Sequence, residues 1–83
     1  MITINATGKP KAGGQFCVTV EGYIGDLDVV VEAGSMALPK TISYSGGVAT
    51  VCFSLPDKAV GKLLTVSVSD AKNREQSWSR WIK

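Results

Sequence analysis

The 83-residue sequence predicts an all-β domain: a small seven-stranded Greek-key sandwich of two sheets. Three observations carry this prediction. Apolar and polar residues alternate with a period of two along most of the chain, as in strands buried on one face. The alternating segments are rich in Val, Thr, Ile and aromatics, and the stretches between them carry Gly, Pro, Asp and Asn turn chemistry. No window shows a helical stripe. KAVGKLL (58–64) is the one candidate for a helical turn, and Gly61 interrupts it.

In chain order the strands are ITINA (2–6), QFCVTVE (15–21), LDVVVE (27–32), TISYS (41–45), VATVCFSL (48–55), LLTVSVS (63–69) and QSWSRWI (76–82). They are joined by GKPKAGG, GYIGD, AGSMALPK, SGG, PDKAVGK and DAKNRE. Phase assigns the core. Phe16, Val18 and Val20 share one face of the second strand, with Cys17, Thr19 and Glu21 opposite. Val51, Phe53 and Leu55 point inward from the fifth strand, Leu64, Val66 and Val68 from the sixth, and Leu27, Val29 and Val31 from the third. The alternative is a five-stranded OB-like barrel, which also fits the length but needs the first and last strands short or merged. Such a barrel binds bases through aromatics on exposed central strands. Here Phe16 and Phe53 share the phase of the aliphatic core, which favours the sandwich.

Size and composition set limits on function. A domain this small buries about 60–65% of its unfolded surface and has only a few kcal/mol of net stability from its own core. It is 45% hydrophobic and 19% charged, which is globular and low in charge. A net charge of +2 is too small by itself to imply nucleic acid. There is no histidine, hence neither the commonest general base nor the usual zinc ligand. MITINATG is not a secretion signal, and no apolar run approaches the ~20 residues of a membrane-spanning helix, so no membrane partner is expected. Serines without a matched base make no nucleophile, so neither catalysis nor a cofactor is expected.

Cys17 and Cys52 both fall in the outward phase, on strands that would be neighbours in the sandwich. Cross-strand neighbours with Cβ atoms about 4.5–5.5 Å apart do not readily meet disulfide geometry. The expectation is therefore two free thiols on a covered face, with a disulfide as the alternative. Two thiols without histidine or a CxxC pair make a poor metal site.

Charge is unevenly placed. No basic residue stands between Lys11 and Lys40, where Glu21, Asp26, Asp28 and Glu32 lie. In a seven-strand sandwich alternate connections share an end, which gathers Lys9, Lys11, Lys40, Lys58 and Lys62 at one end, opposed by Asp57. Those lysines are candidates for steering an acidic partner, or simply keep the surface soluble. The other end gathers Asp26, Asp28 and Asp70 beside Lys72 and Arg74. Three carboxylates can hold calcium, but D-L-D is too short a signal and the two cations can balance it, so no metal is expected. In the closing SWSRWIK, the phase of a last strand places Trp78 and Ile82 over the core, Arg80 near the edge, and Trp81 outside. Trp81, Arg80 and Lys83 form a candidate partner-binding edge, since Trp and Arg dominate interface hot spots.

GGQFCVTVEG as a second strand, GGVATVCFSLP as a fifth and LLTVSVSDAKNR entering the last turn resemble the immunoglobulin-like superfamily. The resemblance is to the small disulfide-poor modules of phage virions and bacterial surface proteins, and it spans nearly the whole chain. It departs from antibody domains, having no Trp between the cysteines and no Tyr in the penultimate strand. It implies a non-enzymatic structural module. Read as a complete chain with a plain Met start and no signal, it implies a small accessory or decoration protein of a phage virion, assembled in the host cytoplasm. Its partner would be a larger capsid or tail protein of the same particle, with self-association also open. The alternatives are an adhesion or carbohydrate-binding module of a bacterial surface protein, cut from a longer chain, and a small nucleic-acid binder using the lysines, which the modest charge makes the weaker reading.

Overall fold

The computed structural model describes residues 1–83. Eight strands form: β1 (Thr3–Ala6), β2 (Gln15–Glu21), β3 (Asp28–Ala33), β4 (Met36–Ala37), β5 (Thr41–Ser45), β6 (Val48–Ser54), β7 (Leu63–Ser69) and β8 (Glu75–Trp81). They build two four-stranded sheets, ordered β1-β2-β6-β5 and β4-β3-β7-β8, with every pairing antiparallel. The chain changes sheet after β2, after β4 and after β6.

Register follows from the two-residue period. Opposed residues in an antiparallel pair lie on the same face, so pairing apolar phase with apolar phase fixes the alignment. In the first sheet Phe16 lies opposite Phe53, Val18 opposite Val51 and Val20 opposite Ala49. In the second, Val29 opposes Val68 and Val31 opposes Val66, which in turn opposes Trp78. These rows face one another to form a single core with Leu55, Leu64 and Ile82. Each fully buried Val or Leu in it contributes about 1.5–3 kcal/mol relative to exposure. The SGG turn is a two-residue hairpin between Ser45 and Val48, with Gly46 and Gly47 at φ 58° and 80°. A type I′ hairpin, whose twist matches the strands, needs positive φ at both central residues, which explains the Gly-Gly pair.

Two expectations are corrected and two alternatives are set aside. The strand count is eight rather than seven: Met36–Ala37 turns back on Ala33 and Glu32 as a two-residue edge strand, too short to show any alternation. Two open sheets with four edge strands replace the OB-like barrel. The helical segment is a single 3-10 turn at Asp57–Ala59 rather than KAVGKLL, and it ends before Gly61. Leu27 is only half-buried, because it precedes β3 and lies outside the regular pleat. Conversely Ile2, Ala33, Leu38, Ala49 and Ala59 join the core.

Candidate functional site

β8 is an edge strand, and its alternation separates the two tryptophans. Trp78 is 9% exposed and faces the core, where it stacks on Phe16 of the opposite sheet at 5.7 Å between ring centroids. Phe16 in turn meets Phe53 at 6.1 Å, so three aromatics tie the sheets together. Trp81 is 67% exposed on the outer face. Arg80 is exposed and lays its guanidinium over the Trp78 ring at 5.0 Å, while its Nη1 donates to the Ser79 carbonyl. The edge therefore presents an uncovered indole on its outer face, while Arg80, the preceding residue, is held on the opposite face over Trp78.

The loops at the end nearest Trp81 are stitched by backbone hydrogen bonds. The Gly13 amide donates to the Leu55 carbonyl at 2.8 Å, and the Leu55 amide donates to Gly14 at 2.8 Å. Lys83 is held to the same loop, accepting from the Ala12 amide at 2.7 Å and donating to Pro10 at 3.1 Å. Lys9 and Lys11 lie in that loop, Lys58 and Lys62 in the β6–β7 connection, and Lys40 just before Thr41, which pairs with Cys52 near the same end of β6. All are exposed, as is Lys83. With Arg80 paired to Leu64 nearby, seven of the nine cations fall in this half, against Asp57 and Glu32. The other half holds Glu21, Asp26, Asp28, Asp70 and Glu75 with Lys72 and Arg74.

At that acidic end Asp70 is buried and fully engaged. Its carboxylate accepts from the amides of Ile24 (3.0 Å), Lys72 (3.0 Å) and Arg74 (3.1 Å), and from the Arg74 guanidinium at 2.6 and 3.0 Å. Arg74 Nη2 also donates to the Gly22 carbonyl at 2.9 Å. The Arg74 guanidinium, above all, holds the Asp70 carboxyl well below the usual carboxylate range; burial opposes this and the three amides add to it. Asp70 thus latches the β2–β3 loop to the β7–β8 turn. It is not free to join Asp26 and Asp28 as a cation ligand, and no group of three or more His, Cys, Asp or Glu is placed to hold a metal. The D-A-K-N-R sequence carried the signal: an Asp that caps its own turn, with an Arg four residues on.

The cysteine expectation is overturned. Cys17 lies directly opposite Cys52 across β2 and β6 on the outer face, and the two are joined as a disulfide. Opposed antiparallel residues alternate between wide and narrow pairs, and at 4.1 Å between Cα atoms this pair is of the narrow kind. The average spacing used to argue against a bridge did not apply to it.

The largest surface depression is an open trough on the outer face of β3, β7 and β8, lined by Asp28, Val30, Ser67, Ser69, Glu75 and Ser77. It holds no paired base and nucleophile, and no active-site cluster is evident elsewhere.

No family model matches the chain, and no curated protein matches it. Among solved structures, the M1 domain from titin superimposes over 100% of this chain and 95% of that one, with a TM-score of 0.57 at 16% identity. The fold is immunoglobulin-like. In immunoglobulin terms β1-β2-β6-β5 stands for strands A-B-E-D and β3-β7-β8 for C-F-G, with β4 added beside the C strand. The bridge sets this immunoglobulin-like domain apart from antibody domains, whose disulfide joins B to F between the sheets. Here it joins B to E within one sheet. The likeness is one of fold, and the sequence identity carries no function with it.

Proposed function

We propose that this domain is a non-enzymatic structural module that binds another protein, and specifically a small accessory or decoration protein of a phage virion. The observation that carries the binding role is Trp81, 67% exposed on the outer face of an edge strand. Tryptophan is the residue most enriched among the anchors of protein interfaces. The virion reading is supported by the resemblance of the second, fifth and sixth predicted strands to immunoglobulin-like virion modules, and its partner is a larger capsid or tail protein.

The test is co-sedimentation of the purified chain with capsids and tails assembled from the structural genes neighbouring its own. Saturable binding lost in Trp81→Ala, with an unchanged circular dichroism spectrum, supports the proposal. No co-sedimentation, together with binding to glycans or salt-sensitive retention on oligonucleotides, would replace it with the surface-module or nucleic-acid reading.

A further inference from the structure

We infer that copies of this domain associate end to end, the lysine end of one against the acidic end of the next. The inference is independent of the Trp81 docking face and rests on two observations. The first is the charge division: seven of nine cations lie in one half and five of seven anions in the other. One chain therefore carries both members of a complementary pair of surfaces, which makes a second copy the fitting partner.

The second observation is where exposed apolar side chains sit. At the lysine end Val60 is 61% exposed between Lys58 and Lys62. At the acidic end Ile24 and Tyr44 are 49% and 51% exposed, Tyr44 braced edge-on by Tyr23 at 6.0 Å. Glu21 and Asp26 stand near them in the chain's acidic loop. Each end thus offers an apolar centre within a rim dominated by one charge sign, broken by Asp57 at the lysine end and by Lys72 at the acidic end. Trp81 lies at the lysine end but on the outer face of the β8 sheet, to the side of the end surface.

Geometry limits the strength. The two shorter extents of the molecule are 22 and 18 Å, so an end face offers about 400 Å², half of the ~800 Å² per partner of a stable complex. Exposed charge pairs add little individually and are screened over about 10 Å at 0.1 M salt. The association is therefore weak, salt-sensitive and, because the two surfaces differ, open-ended rather than closed.

The experiment is sedimentation velocity of the full chain over a concentration series in low salt and in about 0.5 M salt. Expected is a weight-average mass that rises continuously with concentration in low salt and returns to 8.8 kDa in high salt. Lys9→Glu/Lys11→Glu/Lys58→Glu/Lys62→Glu, acidic at both ends, and Asp26→Lys/Asp28→Lys, basic at both, each stay monomeric alone and associate when mixed. Trp81→Ala associates as the wild type does. A wild type monomeric throughout, a plateau at a closed dimer, reversal variants that associate alone or fail to associate when mixed, or loss of association with Trp81 would each overturn the inference.

Discussion

Replacing both Cys17 and Cys52 by Ser removes a cross-link while disturbing little else, because Cys17 is exposed and Cys52 half-buried on the outer face. Surface substitutions of this kind otherwise stay within about 0.5 kcal/mol. The bridge spans 35 residues. Closing a loop of that length removes about 13 cal/mol/K of entropy from the unfolded chain, or about 4 kcal/mol at 25 °C. By the usual per-residue scale a domain of this size has roughly 4–12 kcal/mol in all, so the bridge accounts for a large share. Domains of 60–100 residues lose about 4–8 °C of melting temperature per kcal/mol, so the double variant should melt roughly 15–30 °C lower. Circular dichroism and Trp fluorescence report the transition, with and without a phosphine reductant. Wild type should fall to the variant's curve when reduced, and the variant should ignore the reductant. A difference under about 1 kcal/mol between oxidised and reduced wild type would refute the loop-entropy reasoning. Two titratable thiols in the unreduced protein would refute the bridge itself.

Two further outcomes concern single side chains. Trp78→Ala should cost about 3–5 kcal/mol in a denaturant titration through lost packing on Phe16, whereas Trp81→Ala should cost less than about 0.5 kcal/mol; equal costs would mean the indoles are not divided between core and surface. Asp70 keeps its charge in the folded state to lower pH than in the unfolded chain, where an Asp titrates near 3.9. The unfolded state therefore takes up the proton first as pH falls, so the contribution of Asp70 is complete above that value and is lost progressively below it. Melting temperature followed from neutral to strongly acid pH should fall less steeply in Asp70→Asn, and parallel curves for the two proteins would count against the latch.

The strands and most of the core were legible because their signal is local. Phe16, Val18 and Val20, or Leu64, Val66 and Val68, declare their face within five residues, and the SGG turn declares its hairpin. The tryptophans could be sorted by the same phase. What stayed hidden needed partners distant in sequence. Alternation showed that Cys17 and Cys52 point outward, but no two-residue period says that they sit opposite one another in a narrow pair. The Arg74 partner of Asp70 was legible four residues on, but the Ile24 amide that ties it to the β2–β3 loop lies 46 residues away. Met36–Ala37 is a strand only because Ala33 and Glu32 are there to receive it.

The placement of the bridge also has a mechanical consequence. β1 and β8 belong to different sheets, with Met1 at the acidic end and Lys83 at the lysine end, so tension applied through them loads the packed interface between sheets in shear. The covalent link runs from β2 to β6 inside one sheet and does not cross that interface. It therefore cannot stop the sheets from parting. What it limits is the extension afterwards: the sequestered 35-residue loop withholds about 120 Å of extended chain, at roughly 3.4 Å per residue. Under load the oxidised domain yields as a short tether and the reduced one as a long tether.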